Sequence, residues 1–187
     1  MELRRLIASA KTTIRVNGAR GAHASNAMKR HPGLVPLSRD HHHGLVLARR
    51  LILGRSTNPR ADWPAERAQQ VARLIDFFET DLRRHFEIEE AHVFPAAARD
   101  VRDGASRTRA LIAEHEVMRG MVRDLLADPT SRLAERLTAF GELLETHIHT
   151  EERILFEQMQ AACEPEVLED LGARIADAAA DTPGCRL

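Results

Sequence analysis

Two stretches of the sequence repeat one arrangement of metal-binding side chains. His85, Glu89, Glu90 and Phe94 recur as His147, Glu151, Glu152 and Phe156, each position shifted by 62 residues. On a helix, residues four apart share a face one turn apart, so His85 projects with Glu89 and His147 with Glu151. Each pair prolongs an apolar stripe. Val71, Leu74, Ile75, Phe78 and Leu82 lead to His85, and Leu133, Leu137, Phe140 and Leu144 lead to His147. Both pairs are therefore expected to face inward. A buried carboxylate without a partner is costly, so two of them beside two buried histidines call for a cation.

Two further histidines complete the set. His115 lies in the middle of a stripe that continues through Met118, Val122, Leu125 and Leu126, and it follows Glu114. The triplet His41-His42-His43 follows Asp40. The same steps taken from His41 meet Gly44, Ala48, Leu51 and Ile52, whereas from His42 the seven-residue step meets Arg49. Register favours His41 as the ligand, with His42 as the alternative. The expected ligands are thus His41 (or His42), His85, Glu89, His115, His147 and Glu151. Six such donors exceed what one zinc ion takes, and they include no thiolate. The set is too rich in nitrogen for calcium or magnesium. Imidazole with carboxylate suits iron or manganese, and two ions sharing the two carboxylates would leave positions free for a small molecule.

The elements that must position these residues read as helices throughout. The first is expected from an N-cap at Ser38 to Leu53, stopped by Gly54. A second follows from Pro64 to Arg99, with Pro95 bending or ending it. A third begins near Ser106 and ends before Asp128, and a fourth runs from Thr130 to Cys163. No strand pattern competes. Four helices with short connections predict an all-α, up-down-up-down four-helix bundle. Residues 1–37, with several Gly and Pro and no sustained apolar period, read as a flexible basic tail. Residues 38–163 form the bundle, and residues 164–187 a short C-terminal helix and tail. The first dozen residues are compatible with a short basic helix or a targeting peptide, and Met28 is an alternative start.

Composition narrows the function. The chain has 187 residues, 43% hydrophobic and 29% charged, enough for one domain with a core. No long uninterrupted apolar run exists, which argues against a membrane span. Residues 1–39 hold eight Lys or Arg against one acid, +7, so the rest carries −8 of the net −1. A bundle of that charge is not expected to bind nucleic acid. Cys163 and Cys185 stand apart from the histidine clusters and read as free thiols, consistent with a cytoplasmic protein.

Taken together, Asp40-His41, His85-x-x-x-Glu89, Glu114-His115-x-x-Met118 and His147-x-x-x-Glu151-Glu152-x-x-x-Phe156 resemble the hemerythrin-like (HHE cation-binding) family across about residues 38–160. The resemblance implies a bundle holding a non-haem di-iron centre, two Fe per chain ahead of manganese or zinc, that binds O2, NO or related small oxidants such as peroxide. It also implies the four histidines as terminal ligands and Glu89 and Glu151 as bridges. Oxygen-carrying members have a second histidine one turn after the third-helix ligand, where this chain has Arg119, and they place Asp at the fifth step where this chain has Glu at the fourth. The chain is closer to the regulatory His-x-x-x-Glu subgroup, with water, His42, Glu90 or Glu152 as candidates for the missing ligand. Alternative functions are a di-iron redox enzyme consuming peroxide, NO or a small substrate, or iron storage and donation including iron–sulfur repair. Glu90, Glu152, His92 and His149 are expected to be solvated unless they assist such chemistry. Leu82, Phe86, Leu111, Met118, Leu144 and Ile148 are expected to wall the site.

Overall fold

The computed structural model describes residues 29–180. The basic segment ahead of residue 29, with its expected helix and His23, and the end of the chain with Cys185 lie outside the described residues. Among the described residues there are helices and no strand, as the three- and four-residue apolar steps require.

The first helix, α1 (Val35–Leu53), starts ahead of Ser38. A short 3₁₀ turn, Pro32–Leu34, feeds it, and Pro36 sits in its first turn, where the missing N–H breaks no hydrogen bond. Ser38 does not cap the helix; its hydroxyl donates to Glu152 Oε1 at 2.7 Å. Gly54 ends α1 at φ 67°, the left-handed stop expected there.

The second rod, α2, spans residues 67–100 rather than beginning at Pro64. The Gln70 side chain turns back to donate to the Gly54 and Pro64 carbonyls, both at 2.8 Å, and Arg67 donates to the Leu51 carbonyl at 2.8 Å. These bonds hold residues 54–66 as a tied-down connection. Within α2, two π-helical turns, Phe78–Leu82 and Glu89–Val93, interrupt the α-helix, and Pro95 neither ends nor breaks the rod.

Helix α3 (Gly104–Ala127) begins earlier than Ser106 because Asp103 takes a left-handed φ of 60° and Gly104 fits against α2. A Cβ at Gly104 would lie 2.1 Å from the Ala97 carbonyl oxygen. The fourth rod, α4, runs over residues 133–162 and not from Thr130. Asp128 accepts from the Thr130 and Ser131 amides at 3.1 Å and the Thr130 hydroxyl at 2.8 Å, which commits these residues to a turn. Like α2, α4 contains a π turn at its glutamate, Glu151–Leu155. Helix α5 (Pro165–Ala180) follows.

Helix α1 packs along α4, and the end of α2 along the start of α3. Helix α5 closes one end of the bundle over the Pro32–Leu34 turn and α2. There Gly33 and Gly172 bring two backbones together: a Cβ on Gly172 would lie 2.6 Å from the Gly33 Cα. The apolar interior has two parts. One, with Leu37, Phe94, Phe156, Leu171 and Ile175, lies at the α5 end. The other, with Leu51, Phe78, Met118, Phe140 and Leu144, fills the remainder.

Candidate metal centre

Six polar side chains are buried together in this bundle: His41, His85, Glu89, His115, His147 and Glu151, none more than 5% exposed. They come from all four bundle helices and form two groups, His41-His85-Glu89-Glu151 and Glu89-His115-His147-Glu151. His42, the alternative from the first helix, is exposed and joins neither group.

The two glutamates belong to both groups because each turns one oxygen to each side. Glu89 Oε1 lies 3.4 Å from His41 Nε2 and 3.2 Å from His85 Nε2, while its Oε2 lies 3.5 Å from His115 Nε2. Glu151 Oε2 is 3.1 Å from His41 Nε2, and its Oε1 is 3.3 Å from His147 Nε2. None of these four buried oxygens has a hydrogen-bond partner. The π turns beginning at Glu89 and Glu151 are the local feature that both positions share. Pro95 follows the first, but no proline follows the second, so proline is not their common cause. Such turns re-aim side chains within a helix and recur at functional sites.

The outward nitrogen of every histidine is held by an acid. His115 Nδ1 lies 2.7 Å from Glu90, His147 Nδ1 2.8 Å from Glu114, His41 Nδ1 2.7 Å from Glu152 and His85 Nδ1 3.3 Å from Asp40. An Nδ1–H donated to a carboxylate directs the Nε2 lone pair inward. The inward nitrogens meet in pairs, His41 with His85 at 3.0 Å and His115 with His147 at 2.9 Å. Each pair, with one oxygen from each glutamate, converges four donor atoms on one point. Unpartnered buried carboxylate oxygens and converging imidazole nitrogens are what a cation satisfies, so this donor set fits a pair of ions.

Protons are the alternative counter-charge. Burial disfavours charge on every one of these histidines, but at His85 the Glu89 charge and the hydrogen bonds to Asp40 and Glu89 together outweigh it and hold the pKa at about 9. At His147 burial is outweighed by the Glu151 charge together with the hydrogen bonds to Glu114 and Glu151 and the Glu89 charge, giving about 10. His41 is also raised despite its burial, through Glu151 and Glu152. At His115 burial prevails and the pKa falls. Burial raises Glu89, yet His85 and His41 hold it well below the usual range. Without a metal, the core balances its two carboxylates with histidine protons.

The surroundings differ between the two groups. Phe86 stacks on His115 at 3.7 Å and 15°, and Phe94 at 5.6 Å and 28°. Beside His41 and His85, where Phe156 stacks on His41 at 5.5 Å and 20°, there is also a cavity of about 10 Å³, lined further by Asp40, Leu82, Phe86, Leu144 and His147, room for one water-sized molecule. Leu82, Phe86, Leu144 and Ile148 line it as expected, whereas Leu111 packs in the core at the α5 end and Met118 is buried away from the cavity.

Sequence reasoning missed the four Nδ1 partners. Glu90 and Glu152, expected to be solvated, are tied to His115 and His41, and Asp40 and Glu114 had no assigned role. The signal was present: every candidate ligand except His85 and His147 stands next to an acid in the sequence, and those acids serve ligands on other helices. His92 and His149 are half-buried and outside both groups. Arg119 does not face the donor atoms; it pairs with Glu90 at 3.0 Å and Glu116 at 2.7 Å. Cys163 lies at the end of α4, its Sγ 4.0 Å from the Asp100 carboxylate.

Comparison with known families gives one finding. The model of the hemerythrin HHE cation binding domain matches residues 34–159, well over half of the chain and all four bundle helices. No curated protein and no solved structure matches the chain.

Proposed function

Since the chain belongs to the hemerythrin HHE cation binding domain family, we propose that it holds two iron ions side by side and binds or senses O2, NO or a related small oxidant there. The observation that carries this reading is the sharing of Glu89 and Glu151. Each offers one buried, unpartnered oxygen to each histidine pair. His41 and His85 would hold one ion, and His115 and His147 the other. Bound iron would supply an electron source and a coordination position that nitrogen and carboxylate ligands leave open.

The chain's own residues do the rest. Phe86 and Phe94 cover the His115 side and exclude water from it. The small cavity beside His41 and His85 limits what can approach to a molecule of few atoms. Of the proposed substitutes for a missing ligand, the three side chains do not fit, which leaves water. His42 is at the surface, and Glu90 and Glu152 are engaged with Nδ1 atoms. The cavity, lined by His41, His85 and His147, is where a small ligand could approach the centre. Mixing the diferrous protein with O2 or NO in a stopped-flow spectrometer tests the reading. A new absorbing species that forms within the mixing time series supports it. Irreversible oxidation with no such species contradicts it.

A second reading, oxidation of a small organic substrate, is favoured by one further observation. A surface groove of about 340 Å³ adjoins the cavity, sharing His43, Phe77 and Asp81 with it, and this is the size of a small-molecule site. Trp63 lines the groove, and its buried Nε1 has no partner. Turnover that survives removal of free iron and disappears in Glu151→Ala would favour this reading over sensing.

A further inference from the structure

Two arginines repeat one arrangement on opposite sides of the centre. Arg30 Nη2 donates to Glu152 Oε2 at 2.7 Å and to the Glu152 carbonyl at 2.8 Å. Its guanidinium carbon lies 5.3 Å from the Phe156 ring centre. Glu152 turns its other oxygen to His41 Nδ1, and Phe156 stacks on the same histidine at 5.5 Å and 20°. On the other side, Arg119 Nη2 lies 3.0 Å from Glu90 Oε1, and its guanidinium carbon 5.6 Å from the Phe86 ring centre. That Glu90 oxygen holds His115 Nδ1, and Phe86 stacks on His115. Each arginine thus touches both the carboxylate and the ring that fix one histidine, and neither is among the donor groups.

The two arginines have different origins. Arg119 stands one turn after His115 on α3. Arg30 lies ahead of the bundle, in a segment fastened to α4 by the His31 amide, which donates to Gln160 Oε1 at 2.9 Å. Both side chains are about four-fifths buried, 20% and 19% exposed. In such settings the planar fork of arginine fixes a carboxylate more firmly than lysine does. The group on the outer nitrogen of a ligating histidine sets the orientation and basicity of the inner one.

We propose that Arg30 and Arg119 are a matched pair of positioning residues. Arg30 tunes the His41–His85 ion through Glu152, and Arg119 tunes the His115–His147 ion through Glu90. On this account Arg119 is not a gap left by a lost ligand but one half of a repeated support. The segment before the bundle supplies the other half and is part of the centre.

The inference rests on the two-ion reading, and its test separates the two. The full-length chain and its R30Q, R30K, R119Q and R119K variants are loaded with ferrous iron. Iron per chain, Mössbauer spectrum, circular dichroism and release to a colorimetric chelator are measured for each. R30Q is expected to speed loss of one ion about tenfold, in line with outer-shell changes elsewhere, and to shift one quadrupole doublet. R119Q is expected to do the same to the other doublet. The Lys variants should fall between wild type and Gln, since they keep the charge without the fork. A Gln variant that fails to fold by circular dichroism is replaced by its Lys counterpart, read by the same criteria. Spectra and release matching wild type, or both arginines disturbing both doublets alike, overturn the inference. A wild-type chain that takes up fewer than two irons overturns the two-ion reading first, before any variant is compared.

Discussion

The two histidine pairs of the centre have the same ligands and different walls. His115 lies between the stacked rings of Phe86 and Phe94, with His147 edge-on to Phe86, and their outer nitrogens are held by Glu90 and Glu114 at 2.7 and 2.8 Å. His41 and His85 both border the cavity, which only His147 reaches from the other pair, and the Asp40 contact to His85 is longer, 3.3 Å, with Asp40 54% exposed. The near-repeat in sequence builds a near-symmetric donor set, and the packing around it breaks the symmetry. One half is the more closed, with two rings stacked on His115, and the other the more open, beside the cavity.

The sharpest way to break this comparison is to remove what the halves share. Glu89→Ala or Glu151→Ala takes an oxygen from both groups and should lower uptake from two ions to fewer than one. His41→Ala or His115→Ala should lose only the ion of its own half. Plasma emission analysis of loaded, desalted protein measures this. Equal losses in the histidine and glutamate variants would show that the carboxylates do not bridge.

Changing pH should separate the metal-free from the loaded protein. In the metal-free chain His85 and His147 titrate at about 9 and about 10, above the ordinary value near 6.5. Their charged form therefore stabilises the fold fully below about pH 6.5, and that contribution is lost as pH rises through the folded values. Metal must displace those same protons, so affinity should rise with pH over this range and loading at pH 7 should release protons. Thermal melts should show the metal-free protein losing stability from pH 6.5 to 10, with a pH indicator recording proton release on loading. A metal-free protein that gains stability over that range would contradict the proton balance of the core.

The closed half is tested at its lid. Phe86→Ala should destabilise the fold by about 3–5 kcal/mol as a buried aromatic truncation, and Phe86→Leu by less. In Phe86→Leu the His115–His147 ion should exchange with chelator faster while the other is little changed. A denaturant midpoint with chelator kinetics reads both. The smallest expected effect lies on the open half. Gly172→Ala pushes α5 from the Pro32–Leu34 turn, an overpacking cost of about 1–3 kcal/mol. It should loosen the segment carrying Arg30, and with it the His41 side alone, as faster exchange of one ion.

The six donors were legible because helical spacing carries them. His85 with Glu89, His147 with Glu151 and His115 within its stripe need only the four-residue step, and the apolar neighbours of His41 separate it from His42. The Nδ1 partners were not legible by that rule. Glu152 reaches His41 and Glu90 reaches His115 from other helices, and a contact across helices leaves no spacing in the chain. Helix starts failed for a related reason. Ser38, Pro64 and Thr130 have local signals for a start, but Ser38 is taken by Glu152, Pro64 accepts from Gln70, and Thr130 is taken by Asp128. Arg119 looked like a lost ligand because family comparison weighs positions, whereas its role depends on Glu90 and Phe86 at its tip.

The central claim is that one chain holds two ions between shared glutamates. Its most direct test is the metal content of the full-length chain purified without a histidine tag, with the iron oxidation state read by Mössbauer spectroscopy. The account predicts close to two irons per chain in two distinguishable environments. A single zinc per chain, or one iron in one environment, would contradict it.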